Sequence, residues 1–322
     1  MAKRAPTALV TGGAGFIGSH LVEALLAEGY RVRVLDDFSS GRRDNLATVA
    51  GGIELVEGDI RDAGLVARSM ASVDYVFHQA AVPSVVRSLQ DPRRSHTVSV
   101  DGTLNVLEAA RLTKPRRVVY ASSSSVYGDT PTLPKSESMA PQPLSPYAAA
   151  KLSAECYVRV YARVFGVPAV ALRYFNVFGP RQDPASAYTG VISIFIRELL
   201  AGRPPAIDGD GEQTRDFTYV SDAVAANLQA ARADGVLGEV FNVARGDETS
   251  INDLFRLLRD LTGARVEPRY GPLRSGDVRH SRADIAKARQ LLGYQPQVGL
   301  REGLARTVAW MREALKVVPA GG

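Results

Sequence analysis

Ser123, Tyr147 and Lys151 are the residues whose types and spacing could do chemistry. They lie in SSSSVYGDTPTLPKSESMAPQPLSPYAAAK, residues 122–151, where a serine cluster is followed by a Tyr-x-x-x-Lys pair. On a helix over 145–165, Tyr147 and Lys151 stand one turn apart on one face. An ammonium held near a phenol favours the phenolate and lowers a pKa that is otherwise about 10. A nearby serine hydroxyl then shares the proton path between that phenol and a substrate alcohol. Such a set takes a proton from an alcohol as it is oxidised. The pair alone carries little weight in a chain with 12 tyrosines, and an alcohol oxidation also needs a hydride acceptor.

The N-terminus supplies a place for one. Ala8–Thr11 reads as a short apolar strand, TGGAGFIGSH as a glycine turn, and LVEALLAEGY as a helix. Gly12, Gly15 and Gly18, with Phe16 and Ile17 between the last two, have the spacing G-x-x-G-x-x-G. Those glycines meet three needs: a tight turn, backbone N–H groups close to a pyrophosphate, and a helix packed tightly on a strand. A second strand, Arg31–Leu35, ends in Asp36 and Asp37, with Ser39 and Gly41 in the loop after it. An acid there accepts hydrogen bonds from the adenosine ribose and repels a 2′-phosphate, which predicts NAD rather than NADP. Arg33, Arg42 and Arg43 weigh the other way.

These residues need a frame, and the alternation that follows describes one. Ile53–Val56 reads as a strand running to Asp59 and Ile60, which either flank an adenine or, for Asp59, cap the next helix. Val73–Phe77 leads into HQAAVPSVVRS, where Ala80 and Ala81 are small enough to let a cofactor pass. His78 reads as a packed histidine. A helix over about 94–112 precedes the strand Arg117–Ala121, which delivers the serines. Ala169–Tyr174 is a further strand, after which proline, glycine and arginine become commoner. Helices are expected over 186–202, 221–233, 250–262, 282–292 and 300–316, and a strand over Val240–Val243. The expectation is an α/β fold with a doubly wound parallel (Rossmann) sheet and a smaller, interleaved C-terminal substrate lobe. Residues 1–174, with 217–245 returning, would form the NAD-binding part, and 175–216 with 246–322 the lobe.

Composition narrows the function classes. Apolar residues make up 45% and charged residues 23%, as in ordinary globular proteins. The net charge of +5 comes from 33 arginines against six lysines. The arginines are scattered, which fits solvated surface plus a few reserved for an anionic ligand rather than nucleic acid. One cysteine, Cys156, precludes an internal disulfide, fits a reducing cytoplasm and reads as a packed thiol. MAKRAPTALV contains no separate apolar signal segment, and no apolar run reaches the ~18 residues of a membrane span. Four histidines and one cysteine show no metal-site spacing.

TGGAGFIG, LDDFSSG, the serine run before VYG, SPYAAAK, RYFNVFGPRQDP, GDGEQTRDFTYV and RSGDVRHS follow one another along essentially the whole chain. In them the sequence resembles the extended short-chain dehydrogenase/reductase family, and within it the UDP-hexose 4-epimerases. The resemblance implies Ser123 as catalytic serine, Tyr147 as base, and Lys151 on the nicotinamide ribose, lowering the tyrosine's pKa. It implies Tyr174 beside the nicotinamide, Asn176 at the diphosphate end of a UDP-sugar, Arg215 and Arg274 gripping the diphosphate, and Asp277 on the uridine ribose. The bland readings are a turn cap for Asn176 and surface arginines for the other pair. Ser124 could touch the sugar, though Ser124 and Ser125 read first as loop residues.

The chain departs from the family at Ser99, where many members have asparagine before V-x-G-T. Relatives acting on UDP-glucuronate have an arginine where this chain has Asp183, which argues against a uronate. Ser281, where relatives confined to plain hexoses tend to be bulky, implies room for an N-acetyl group. The rival on the same fold is a 4,6-dehydratase, whose serine position is followed by Asp-Glu rather than Ser124-Ser125. The rival of another class is a non-enzymatic dinucleotide- or RNA-binding protein, which would have lost Tyr147 or Lys151. The resemblance also implies a homodimer formed through the helices near 94–112 and 147–166.

Overall fold

The computed structural model describes residues 4–183, 190–273 and 278–316. Its strands, in chain order, begin with β1 (Thr7–Thr11), β2 (Arg31–Asp36), β3 (Ile53–Glu57), β4 (Tyr75–His78), β5 (Arg117–Ser123) and β6 (Ala169–Tyr174). The short β7 (Val177–Phe178), β8 (Ala206–Asp208), β9 (Thr214–Arg215) and β10 (Thr218–Tyr219) come next. They are followed by β11 (Val240–Val243), β12 (Thr249–Ser250) and β13 (Arg269–Gly271). Seven strands form one parallel sheet in the order β11-β6-β5-β4-β1-β2-β3. β1 and β6 are buried at every position. That is the burial of strands covered on both faces, and it explains their unbroken apolar runs. The order turns between β1 and β4, which opens a crevice at the carboxyl ends of those strands.

The helices are α1 (Phe16–Ala27), α2 (Ala63–Ser69), α3 (Val85–Gln90), α4 (Pro92–His96), α5 (Gly102–Thr113) and α6 (Pro146–Phe165). The chain continues with α7 (Val191–Leu200), α8 (Val220–Arg232), α9 (Ile251–Thr262), α10 (Ala286–Leu292) and α11 (Leu300–Lys316). One apolar core joins Leu21 and Leu25 of α1 and Ala226 and Ala230 of α8 to the sheet. Another, with Val66 of α2, Val106 of α5 and Val158 of α6, covers the other face. A third contains none of the seven sheet strands: Phe195, Phe217, Leu254, Leu304 and Met311 pack together from segments well separated in sequence. Among the described residues no helix is long and apolar enough to cross a membrane.

The helix expected over 94–112 is present: α4, a π turn at Thr97–Asp101 and α5 run on without a break, and the π turn buries Val98, Ser99 and Val100. Ile60 packs against Gly102 so closely that an added Cβ would lie 2.5 Å from it. Two expectations need correction. The helix expected over 282–292 starts at Ala286, because Ala283 pairs with Lys135 as an isolated bridge and cannot also be helical. Cys156 is exposed rather than packed. The helix expected over 186–202 begins at Val191, the part before 190 lying outside the described residues.

Candidate active site

The first cleft, about 500 Å3, opens at the carboxyl ends of β1, β2 and β4. Every residue the sequence offered for the cofactor lines it, from Gly12, Gly15, Phe16, Ile17 and Gly18 through Asp36, Asp37, Ser39, Gly41, Asp59, Ile60, Ala80 and Ala81 to Tyr147, Lys151 and Tyr174. Gly12 has φ +68°, and a Cβ there would meet Ala80 N at 2.7 Å. A Cβ on Gly18 would meet Gly12 O at 2.1 Å, so α1 can pack this closely only through glycine. On Gly15 a Cβ would have a single near neighbour, Gly12 O at 3.1 Å, so it would project into the cleft where a pyrophosphate approaches the backbone. The residues present therefore fit a dinucleotide.

Asp36 accepts from Ala14 N at 2.9 Å and Phe38 N at 2.8 Å. Burial pushes its carboxyl up, and those two N–H groups pull it part of the way back. Two of the arginines that weighed toward NADP are engaged elsewhere: Arg33 with Glu54 at 2.8 Å and Arg43 with Glu57. Asp59 is no helix cap; Asp62 is, accepting from Leu65 N at 2.9 Å. Asp59 instead takes the Arg61 N–H at 2.8 Å, and the Arg61 guanidinium holds its carboxyl below the usual range.

Tyr147 and Lys151 sit in the first two turns of α6. Ser145 caps that helix by accepting from Ala148 N at 3.2 Å, and Pro146 fills its first turn. Ser123 ends β5 and lines the same cleft as Tyr147. The expected lowering of Tyr147 by Lys151 is not produced by the chain's own groups. Burial pushes the phenol above its ordinary value, and the Ser123 hydroxyl offsets part of that. Lys151 donates to Ala121 O at 2.6 Å, and burial brings its ammonium down to about 7.

Residues far apart in sequence hold this group, and no spacing announced them. Tyr174 donates to Gln79 Oε1 at 3.2 Å and accepts from Asn227 Nδ2 at 2.7 Å, while Gln79 Nε2 donates to Asn227 Oδ1 at 3.0 Å. The closed ring fixes the tyrosine, whose phenol burial pushes up to about 12. Behind Ser123, Ser122 donates to Glu155 at 2.6 Å, and Glu155 is paired with Arg173 at 2.6 Å inside the protein. His78 is buried with Thr11 and Thr103 hydroxyls at 2.6 and 3.0 Å. Burial lowers it to about 3, so it is a neutral, satisfied histidine as expected. Ser99 leaves its Oγ buried without a hydrogen-bond partner.

A second cleft, about 660 Å3, adjoins the first, and Tyr147, Tyr174 and Ser122 line both. Ser123, Ser124, Asn176, Arg215 and Ser281 line it as the sequence suggested. Asn176 is not a turn cap; its Nδ2 donates to Asp216 O at 3.0 Å. Arg274 and Asp277 lie outside the described residues. The sequence reading missed Ser84, Val85, Leu144, Lys135 and Gln213, which also line this cleft. Asp183 lines the first cleft, 3.9 Å from Arg42. Among the described residues no group of three or more His, Cys, Asp or Glu could hold a metal ion.

The chain as a whole is similar to known proteins. A UDP-glucose 4-epimerase of Mycolicibacterium smegmatis is 47% identical over 310 residues, 94% of this chain and 98% of that protein. The crystal structure of Thermotoga maritima UDP-glucose 4-epimerase with UDP-glucose superposes with a TM-score of 0.91 at 42% identity, covering 96% of this chain and 99% of that one. The UDP-N-acetylglucosamine 4-epimerase of Methanobrevibacter ruminantium in complex with UDP-N-acetylmuramic acid gives 0.92 at 39% identity, covering 97% and 100%. Residues 8–244 match the model of one family. The chain therefore belongs to the NAD dependent epimerase/dehydratase family, with NAD as its cofactor.

Proposed function

We propose that this protein inverts C4 of a UDP-hexose by reversible oxidation. The observation that carries the reading is that the two clefts meet at Tyr147, beside Ser123 and Lys151. A sugar alcohol in the second cleft then lies against a phenol that, ionised, takes its proton. When bound, NAD supplies reversible hydride acceptance at C4. The Gly12–Gly18 turn, Asp36, Lys151 and Tyr174 would hold it. Tyr147, as phenolate, removes the proton from the 4-hydroxyl, and Ser123 donates to the oxygen that carries the charge. Arg215, with Arg274, holds the diphosphate through charge-assisted forks while the 4-keto sugar turns over. Tyr147 then returns the proton to the inverted centre.

Residues 1–174 with 217–245 would hold NAD, and 175–216 with 246–322 the nucleotide sugar. Ser281 on the wall of the second cleft supports room for an N-acetyl group, so UDP-GlcNAc and UDP-GalNAc are proposed as substrates beside UDP-Glc and UDP-Gal. A dehydratase would need an acid and a base beside the serine. The residues there are Ser124 and Ser125, and the one carboxylate among the described residues lining that cleft is Asp208. We further propose a homodimer through α5 and α6.

The test incubates the protein, without added cofactor, with UDP-glucose and separately with UDP-GlcNAc. A mixture of C4 epimers with no net NADH is expected. A 4-keto-6-deoxy product would move the chain to the dehydratases, and unchanged sugars would remove the UDP-hexose reading.

A further inference from the structure

We propose that Ser125, through a double hydrogen bond to Ser123, is a positioning residue that makes Ser123 solely a hydrogen-bond donor toward Tyr147. This rests on the C4-epimerase reading only for its effect on turnover. Ser125 sits on the second cleft, half-buried, in the short 3-10 turn Ser124–Tyr127 that follows β5. Its backbone N–H reaches Ser123 Oγ at 3.2 Å, and its own hydroxyl donates to the same oxygen at 2.9 Å. A hydroxyl oxygen has two lone pairs and one proton. Both lone pairs of Ser123 are thus occupied, and only its O–H remains to be placed. The Tyr147 phenol lines the same cleft and is the acceptor assigned to it.

The backbone bond alone suffices for a turn of this kind. The second bond, from the hydroxyl, is not required by the turn, and its consequence is chemical. With its acceptor positions filled, Ser123 cannot receive the sugar's proton. In the proton step the O–H bond of the 4-hydroxyl breaks and the O–H bond of Tyr147 forms directly, the phenolate supplying the electron pair. Ser123 holds its own proton throughout and stabilises whichever oxygen carries the negative charge. Without the Ser125 hydroxyl, the Ser123 rotor is free to point away, and the phenolate loses a donor.

The test uses the NAD-bound protein and needs no turnover. Ultraviolet difference titration, with Tyr147→Phe as the blank, reads the Tyr147 midpoint. Ser125→Ala should raise it by roughly 0.5–1 pH unit, the scale of one hydrogen bond, and Ser125→Thr, which keeps the hydroxyl, should restore it. In a Ser123→Ala background, Ser125→Ala should have no further effect. With a UDP-hexose, Ser125→Ala should lower kcat roughly 5- to 10-fold, with KM little changed and the acidic limb of the kcat–pH profile moved upward. An unmoved midpoint overturns the proposal, as does an equal effect of Ser125→Ala with and without Ser123. A moved midpoint with no sugar turned over by the unmodified protein upholds the positioning and removes the UDP-hexose reading instead.

Discussion

At the scale of single residues, the proposed chemistry depends on a phenol and an amine buried together. Tyr147→Phe removes the proton acceptor without altering the shape of the cleft. It should retain NAD and lower kcat by ~10²–10⁴-fold, the contribution of a positioned general base. Steady-state rates with NAD content measured alongside check this, and retention of more than about a tenth of kcat counts against the role. Lys151 gives a pH prediction. Its folded pKa falls to about 7 by burial, whereas the unfolded ammonium titrates near 10.4. Between these values the unfolded chain binds more protons than the folded one, so stability of NAD-free protein rises with pH above 7. Lys151→Met removes that proton uptake and should flatten the rise of Tm between pH 7 and 9.5. An unchanged slope in thermal melts would show that Lys151 is solvated.

At the scale of elements, the sequence was most legible where contacts are local. The Gly12–Gly18 turn and Asp36 meet within 22 residues, through the Ala14 N–H. SPYAAAK carried its own helix start in Ser145 and Pro146. The Gln79–Asn227–Tyr174 ring was not legible, because its members span up to 148 residues and nothing in their spacing links them. The early part of the helix expected over 282–292 failed for the same reason: a bridge to Lys135, far back in the chain, claims that backbone. Ser125 was readable as a residue but not as a donor, since the direction of a hydroxyl depends on the turn that holds it. The cap of α6 invites a test. Ser145→Ala leaves the Ala148 N–H without its partner, which costs about 1 kcal/mol and on the order of 2 °C in Tm. Tyr147 lies in the turn that frays, so kcat should fall with it, while Ser145→Thr, which keeps the cap, should restore both. Calorimetry paired with rate measurement separates this from an unchanged helix, in which neither would move.

At the scale of the whole molecule, interleaved segments are held together by buried acids. Asp216 accepts from Arg245 N at 3.0 Å, Gly246 N at 3.1 Å and Ala283 N at 3.1 Å, with burial pushing its carboxyl up to about 7. Asp222 likewise takes the Gln297 N–H at 2.9 Å. These ties join the β11 end to the segments carrying Arg215 and Ser281, so the second cleft is built from parts that no single stretch of sequence contains. Val160, Val164 and Phe165 of α6 and Leu112 of α5 are exposed, and the Arg111 guanidinium of α5 lies 5.6 Å from the Phe165 ring of α6. Val164 is 68% exposed, and with Val160 and Phe165 beside it on α6 it forms an apolar patch of the kind that marks an interaction surface. Residues 157, 160 and 164 fall on one helical face. Two copies meeting through α5 and α6 would cover that face, and a stable pair needs roughly 1,000 Å2 or more of buried surface. Val164→Asp places a charge in the middle of that surface, where desolvating it costs more than the contact returns. Sedimentation should find a dimer for the unmodified protein and a monomer for Val164→Asp, with NAD content retained in both because α6 keeps its inner face. A monomer for the unmodified protein, or a dimer for both, would remove this face as the interface.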